Sequence, residues 1–185
     1  MSTSRNLSRR SREEWLAEAL EALARDPAHL RIEELADRLG VSKGSFYWHF
    51  ENRSEFIHAL ANFWKETQTA AIAGKLAEIG GTPEERLRTL MQSIVTEQLN
   101  SYDIPIRAFA RIEPGILPVI READEIRLNT VRSLFEDIGF EEPELSIRTR
   151  VFVVAQSFDD ALGVQLSREE TLEQLELRFA FFTRR

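Results

Sequence analysis

The stretch "LADRLGVSKGSFYWHFENRSEF", residues 35–56, contains the strongest local signals in this chain. An apolar pattern at helical spacing ends at Gly40, a residue type that often ends helices because it tolerates a left-handed backbone. Ser42 can cap the next helix, and Val41 before the cap can pack on Phe46 four residues after it. The stretch therefore predicts two short helices joined by a tight turn, which is a helix-turn-helix with its second helix exposed.

Five ring-bearing side chains follow one another in the second of these helices, in the run "FYWHF" at 46–50. Five successive residues cover more than one helical turn, so the rings must point in all directions. Phe46 and Phe50 are four residues apart, share one face and are expected in the core. Tyr47, Trp48 and His49 then remain on the other faces. They are either ordinary amphipathic surface residues, with Trp48 folded back on the domain, or a surface that grips DNA.

The neighbouring residues favour the DNA interpretation. Residues 42–45, "SKGS", lie at the N-terminal turn of the same helix, where backbone N–H groups and the helix dipole attract phosphate. Gly44 leaves room for a close approach, and the polar tips of Tyr47 and His49 are suitable phosphate donors. Arg53 adds a cation at the start of the next helix. The pattern indicates contacts with the DNA backbone while a short helix enters the major groove.

The same stretch resembles the N-terminal DNA-binding domain of the TetR family of bacterial transcriptional regulators, including its Tyr-Trp-His run. The resemblance covers about residues 12–64, and beyond them only the number, lengths and order of the helices are similar. It implies the following DNA contacts, in addition to Ser42 at the start of the helix: base-reading or groove-facing Lys43, Gly44 and Ser45; phosphate-contacting Tyr47, His49 and Arg53; and Trp48, which partly packs and partly borders the DNA.

Two positions depart from the family pattern. Arg31 stands where the family often has Thr or Ser to cap the second helix, and arginine cannot act as a cap. We expect Arg31 to be able to meet phosphate directly instead. Glu33 and Glu34 place acid near the DNA-facing end of that helix, where they either stabilise the helix dipole or accept a hydrogen bond from a cytosine amine.

The charge of the chain is unevenly distributed. The 185 residues carry a net charge of −7, all of it beyond residue 65, because residues 1–65 hold 10 basic and 10 acidic side chains. The N-terminal arm is basic and is either a solvated tail or a phosphate contact. There is no Cys, which excludes disulfides and thiolate metal sites. Neither a signal peptide nor a membrane span is indicated, so we expect a cytoplasmic protein with no membrane partner.

Helix-capping signals recur along the chain, as "SREE" at 11–14, "NRSE" at 52–55, "TPEE" at 82–85 and "SREE" at 167–170. No strand-like alternation separates them. We therefore predict an all-α fold of about nine helices. Residues 1–52 are expected to form a helix-turn-helix DNA-binding domain. A helix from 53 to about 79 should link it to the remainder of residues 53–185.

The resemblance implies that residues 53–185 form an effector-binding and dimerisation domain. Independently, "VFVVAQSFDDALGVQL" at 151–166 is apolar around most of its circumference, and the last helix carries Leu or Phe every three to four residues. Two such helices from each of two subunits could form a four-helix bundle, whereas the alternative is a monomeric core. The residues predicted at the dimer interface are Val151, Val154, Phe158, Leu162, Leu172, Leu175 and Phe179.

An effector pocket would be surrounded by the helices between residues 56 and 139. Candidates chosen by helix face are Phe63, Met91, Ile94, Gln98, Tyr102, Arg107 and Phe109, all of which also suit ordinary packing. Because most of these residues are apolar, we expect a small, mainly apolar or aromatic effector.

An enzyme is not expected. The three His residues lack metal-ligand spacing, and no Gly-rich phosphate loop or nucleophile motif occurs. Asp159 and Asp160 are adjacent on a helix, so they diverge by about 100° and do not readily share a proton. No cofactor or metal is predicted. Our hypothesis is a homodimeric repressor that binds a palindromic DNA operator and is released by an effector. The alternative is a DNA-binding regulator without a small-molecule ligand, controlled by a protein partner or constitutive.

Overall fold

The computed structural model describes residues 10–158 and 166–184, with only the backbone of 157 and 158. Its elements, in chain order, are α1 (Arg12–Arg25), α2 (Ile32–Leu39), α3 (Lys43–Phe46), α4 (Arg53–Lys65), a π-helical segment (Glu66–Ala70), α5 (Ala71–Glu78), α6 (Pro83–Thr96), α7 (Asp103–Phe109), a 3-10 turn (Pro114–Ile116), α8 (Leu117–Ile138), α9 (Glu144–Phe158), α10 (Arg168–Glu173) and α11 (Leu175–Thr183). No strand occurs within these described ranges, and the predicted all-α class is confirmed.

The predicted caps explain where four of the helices, α1, α4, α6 and α10, begin. Complete capping boxes are present at Ser11, Thr82 and Ser167, where each side chain accepts from the backbone amide three residues on. At the fourth predicted box, Asn52 accepts from the Glu55 amide at 2.9 Å. The Glu55 carboxylate, however, accepts from the amide of residue 51 rather than from the cap itself. Half of that box is therefore formed.

The turn between α2 and α3 depends on the backbone of Gly40, which has φ 68° and ψ 32°. In this left-handed conformation the Gly40 amide donates to the Asp37 carbonyl at 3.1 Å, and the Val41 amide donates to the Ala36 carbonyl at 3.0 Å. A side chain at residue 40 would meet no atom within 4 Å, so glycine is needed for its conformation rather than for space. The predicted Ser42 side-chain cap is not formed.

The first hydrophobic core lies under the N-terminal helices. Phe46 lies at its centre, with ring centroids 5.5 Å from Trp15, 5.0 Å from Phe50 and 5.2 Å from Phe56. The same core also includes buried residues from α7 to the first half of α8, namely Ile106, Phe109, Ala110, Ile116, Val119, Ile120 and Ala123. The N-terminal helices therefore pack directly on the body of the protein, and a domain boundary at residue 52 stays a prediction.

A second core lies at the other end of α8, where Leu134 and Phe135 pack against α6, α9 and α11. Because α8 contributes its first half to one core and its second half to the other, it joins both ends of the molecule. α4, the π-helical segment and α5 form one continuous helical run from Arg53 to Glu78, in the place of the predicted linking helix. The predicted last helix is interrupted at Gln174, which separates α10 from α11.

Candidate DNA-binding surface and internal cavity

The five rings at 46–50 are divided between the core and solvent. Phe46 and Phe50 are buried, whereas Tyr47 is 57% exposed and Trp48 is 73% exposed. α3 itself is short, but the backbone amides of residues 48–50 donate hydrogen bonds to the carbonyls of residues 45 and 46, which continue the helical path to Phe50. The two phenylalanines thus anchor the segment, while the large aromatic side chains of Tyr47 and Trp48 lie in solvent. Exposing such side chains to water is unfavourable, and a binding partner can cover them.

Two polar groups of this segment point inward. The Ser45 Oγ and the His49 Nε2 atoms are buried and have no hydrogen-bond partner among the described residues. The Ser45 hydroxyl therefore cannot reach a base in this conformation unless its side chain rotates. For His49, the predicted phosphate contact is possible only through the other ring nitrogen, Nδ1. Helix-face reasoning did not detect this because it locates the Cβ atom and not the polar tip.

The cations at the start of this surface are paired with carboxylates on α2. Lys43 Nζ lies 2.6 Å from Glu33 Oε1. This hydrogen bond raises the pKa of Lys43 and lowers the pKa of Glu33. Arg31 lies at the N-cap position of α2 without capping it, as expected, and its guanidinium is 3.6 Å from the Glu34 carboxylate. All four side chains are largely solvent-exposed, so these pairs can exchange for phosphate at little cost.

Arg53, the predicted phosphate contact on α4, forms an ion pair with Glu113. Glu113 lies just before the 3-10 turn that leads into α8, sixty residues away in sequence, and no local signal identified it. The Arg53 side chain remains about half exposed. This pair connects the candidate DNA-binding surface directly to the body of the protein.

A second polar link joins the same two parts. The Tyr102 hydroxyl, just before α7, donates a hydrogen bond to the Glu21 carboxylate on α1. The pKa of Tyr102 is raised to about 12, mainly by burial of the phenol and to a smaller extent by the hydrogen bond to Glu21. Tyr102 was predicted to line a pocket, whereas the structure uses it as a connection between α1 and α7.

A cavity of about 70 Å³ that is partly open to solvent lies where the π-helical segment and α5 meet α6, α8, α9 and the start of α7. Most of its wall is hydrocarbon. The lining residues are Gln68, Thr69, Ile72, Ala73, Leu90, Ile94, Leu99, Asn100, Asp103, Ile126, Arg127, Thr130, Val131, Phe152, Val153 and Gln156.

Of the seven predicted pocket residues, only Ile94 lines this cavity. Phe63 and Phe109 pack in the first core, and Met91 packs in the second. The remaining three residues have other surroundings. Tyr102 contacts α1, Gln98 is exposed in a turn with φ 52°, and Arg107 is paired with Asp124. The cavity lies between helices of the predicted region, but it is lined by other faces of those helices than the ones that carry the predicted residues.

A buried ion pair forms the polar end of the cavity. Arg127 Nη1 lies 2.5 Å from Asp103 Oδ2, Arg127 Nη2 lies 3.0 Å from Asp103 Oδ1, and Arg127 Nε donates to Thr69 Oγ1 at 3.0 Å. Asp103 is 1% exposed, and the Arg127 guanidinium also lies 5.4 Å from the centre of the Trp64 ring. The geometry is bidentate, which suits a fixed structural pair.

Two amide groups that line the cavity lack partners within the described part of the chain. They are the side-chain Nε2 of Gln156, a donor, and the side-chain Oε1 of Gln68, an acceptor. The backbone carbonyl of Gln156 is occupied, because Asn100 Nδ2 donates to it at 3.0 Å. Gln68 and Thr69 lie in the π-helical segment, and π-helical turns are frequent at functional sites.

The predicted dimer residues fall into three groups. Val151 and Val154 are exposed on α9, as a dimer contact requires. Leu175 and Phe179 are instead buried in the second core of their own subunit, and Leu172 packs against that core. Leu162 and the side chain of Phe158 lie outside the described residues, as do Asp159 and Asp160.

The apolar residues that α11 exposes lie on its other face. Leu177 is 74% exposed and Phe181 is 72% exposed. Ile147, Val151 and Val154 are likewise exposed on α9, and we call these five residues the exposed apolar face. The two helices are neighbours, since Arg148 of α9 donates to the backbone carbonyl of residue 182 at 2.7 Å.

Within the described ranges, no group of three or more His, Asp or Glu side chains is arranged to hold a metal ion. No helix among the described residues is long and apolar enough to cross a membrane.

Residues 16–60 match the family model described as "Bacterial regulatory proteins, tetR family". The chain is 29% identical over 73 residues to the HTH-type transcriptional regulator TtgR of Pseudomonas putida, a match that covers 40% of this chain and 35% of the relative. The chain thus spans about a third of the length of the curated relatives it matches.

Similar solved structures cover nearly the whole chain. A transcriptional regulator from a Rhodococcus species has a TM-score of 0.71 and 20% identity, over 94% of this chain and 96% of that one. The TetR family transcriptional regulator PfmR from Thermus thermophilus has a TM-score of 0.69 and 16% identity, over 92% and 97% of the two chains. At these identities the likeness shows the fold.

Proposed function

We propose that this chain is a transcriptional regulator of the TetR family that binds double-stranded DNA, because its residues 16–60 match that family's model and it is 29% identical over 73 residues to the regulator TtgR. The observation that carries the proposal is the exposure of Tyr47 and Trp48 on a helical segment anchored by the buried Phe46 and Phe50. In detail, the regulator is a homodimeric repressor that binds a palindromic operator and is released by a small effector.

The short helix α3 enters the major groove with Lys43 leading, while Tyr47 and Arg53 contact phosphates on either side. On binding, Lys43 leaves Glu33 and Arg53 leaves Glu113 for the DNA. The first exchange costs little because Glu33 regains water at an exposed surface, whereas Glu113 is only 27% exposed, so the second exchange costs more. The acidic body of the protein stays away from the phosphates, which favours approach by the N-terminal face.

The partner of the exposed apolar face is a second copy of the chain. A two-fold axis brings the same α9 and α11 surfaces of two subunits together, so that each buries its own counterpart. This burial explains why Leu177 and Phe181 are apolar although the isolated subunit leaves them in solvent. The dimer then presents two copies of α3, which must lie roughly 34–36 Å apart to enter successive major grooves.

DNA binding is tested by fluorescence anisotropy, with the DNA flanking the gene screened for an inverted repeat. Arg53→Gln should weaken binding to the repeat and to unrelated DNA alike. It should also reduce the slope of log K against log salt by about 0.9, the value for one lost phosphate contact. Arg121→Gln is the matched control, because it removes the same charge from an exposed position on α8. An unchanged slope for Arg53→Gln, or an equal change for both variants, refutes the assigned contact.

Dimerisation is tested by sedimentation. Phe181→Asp places a charge in the exposed apolar face and should shift the chain from dimer to monomer, because two unpaired carboxylates would be buried on the axis. Ile112→Asp is the control, since Ile112 is an exposed apolar residue in the turn after α7 and does not belong to that face. A Phe181→Asp variant that stays dimeric shows that the interface lies elsewhere.

The effector part of the proposal is supported by the cavity and by its two unpartnered amides. It is tested by titrating the DNA complex with compounds that raise the melting temperature of the free protein. A compound that binds and lowers the DNA affinity supports the proposal. A regulator without a small-molecule ligand, controlled by a protein partner or constitutive, predicts that no bound compound changes the DNA affinity.

A further inference from the structure

The cavity has no net charge to offer a ligand. Among its lining residues only Asp103 and Arg127 are ionisable, and they neutralise each other through two short contacts. Thr69 occupies a third guanidinium donor. A ligand carboxylate or ammonium group would therefore lose its hydration without gaining a free counter-ion, which is strongly unfavourable in a largely hydrocarbon wall.

The cavity does offer one unused donor and one unused acceptor. Gln156 is 8% exposed, and its Nε2 atom has no partner among the described residues. The Oε1 atom of Gln68 is also buried and unpartnered. Buried polar groups are nearly always hydrogen-bonded, so two unpaired amides in one cavity wall indicate that something else completes them.

The volume of the cavity sets how much of a ligand it can enclose. A cavity volume of about 10–15 Å³ accommodates one water molecule, which is one non-hydrogen atom. The 70 Å³ cavity therefore holds roughly five to seven non-hydrogen atoms. The aliphatic and aromatic side chains of Ile72, Ile94 and Phe152 would surround the hydrocarbon part of such a molecule.

We propose that this cavity binds a small neutral molecule whose short hydrocarbon part carries one group that both accepts and donates hydrogen bonds, as a carboxamide or an alcohol does. Its acceptor atom takes the Gln156 Nε2–H, its donor pairs with Gln68 Oε1, and its tail lies against the apolar wall. The role of this ligand as an effector rests on the proposed function, whereas its binding does not.

The test uses the full chain without DNA and three probes with the same five-carbon skeleton: pentanamide, pentanoate and pentylamine. Calorimetry and thermal shift should show saturable binding of pentanamide. The two charged probes should bind at least tenfold more weakly, because each would bury a charge that the paired Asp103 and Arg127 cannot compensate. Equal or tighter binding of pentanoate or pentylamine overturns the proposal, and so does the absence of binding by all three.

Gln156→Leu tests the assigned donor. It should weaken pentanamide binding by roughly three- to tenfold, the effect of losing one net hydrogen bond. Without ligand the variant should be at least as stable as the natural chain, because it removes an unpaired buried group. Gln92→Leu is the matched control, since Gln92 is exposed on α6, and it should change neither quantity. Undiminished affinity of Gln156→Leu for pentanamide overturns the assignment.

These results can be separated from those on the proposed function. If pentanamide binds but no DNA does, the ligand site stands and the regulator proposal fails. If DNA binding is intact and no probe binds, only the ligand inference fails.

Discussion

Replacing Arg127 by methionine tests most directly whether water can reach Asp103 in the cavity wall. The change keeps an unbranched apolar stem but removes both contacts to Asp103, which is 1% exposed and therefore poorly accessible to solvent. Breaking a buried ion pair in this way costs about 3–5 kcal/mol. For a domain of this size the melting temperature should fall by about 6–20 °C.

The matched control is Arg107→Met. Arg107 also pairs with an aspartate on a neighbouring helix, but the side chains of Arg107 and Asp124 are 26% and 33% exposed. Water can solvate the carboxylate that remains, so this variant should lose about 1 kcal/mol or less. The stability of both variants is measured by urea unfolding, followed by tryptophan fluorescence. One fixed protein concentration is used, because the stability of a dimer depends on concentration.

A double replacement completes the test. Asp103→Leu combined with Arg127→Met removes both charges from the cavity wall and should recover most of the loss, because a hydrophobic pair of similar volume is often as stable as the ion pair it replaces. If Arg127→Met costs no more than Arg107→Met, Asp103 is accessible to water. The argument that the cavity excludes charged ligands then fails as well.

Two further predictions concern the links between the DNA-binding surface and the body of the protein. Glu113→Gln should tighten DNA binding, as measured by fluorescence anisotropy, by up to about fivefold, because phosphate no longer competes with a carboxylate for Arg53. The control is Glu122→Gln, which removes the same charge from α8 and should have a smaller effect. The pKa of Tyr102 is raised to about 12 in the folded chain, so the stability it contributes is complete below about pH 10 and is lost as the pH rises from 10 to 12. Tyr102→Phe should therefore flatten the fall in urea stability over that range, and an unchanged fall contradicts the assignment.

The helix-turn-helix could be predicted from the sequence because its signals are local. The left-handed backbone at Gly40, the caps at Ser11 and Asn52, and the four-residue spacing of Phe46 and Phe50 all act within one or two helical turns. Such signals specify which rings are buried. They do not specify where a polar tip points.

The cavity could not be predicted in the same way, because its polar end depends on contacts far apart in sequence. Asp103 and Arg127 are 24 residues apart, and Thr69 is 58 residues from Arg127. The π-helical segment adds a second difficulty. Its wider turn shifts the helix face after Lys65, so a regular 3.6-residue period that assigns Phe63 to a pocket fails for Gln68 and Thr69.

The last helix shows a related difficulty. Its Leu and Phe spacing predicted an interface at Leu175 and Phe179, but a helix that is apolar on two faces must bury one of them inside its own subunit. Periodicity alone cannot say which face that is. The packing of Phe152 on Phe182, with ring centroids 5.0 Å apart, decides it and leaves Leu177 and Phe181 outside.

Two routes connect the cavity to the candidate DNA-binding surface. One helical run begins at Arg53 and reaches the cavity wall at Gln68, and the Asp103 end of α7 lies next to Tyr102, which is bonded to Glu21 on α1. Under the proposed function, these helices have one position that fits the operator and one that does not. A ligand changes operator affinity only by the difference between its affinities for these two positions. A hundredfold change needs about 2.7 kcal/mol of such difference. Two hydrogen bonds of roughly 0.5–1.5 kcal/mol each, made to Gln68 and Gln156 in one position and not in the other, supply about 1–3 kcal/mol, which reaches that amount only at the upper end. A small ligand that bonds both amides in only one position therefore changes operator affinity by roughly 5- to 150-fold, and one that bonds a single amide changes it by about tenfold at most.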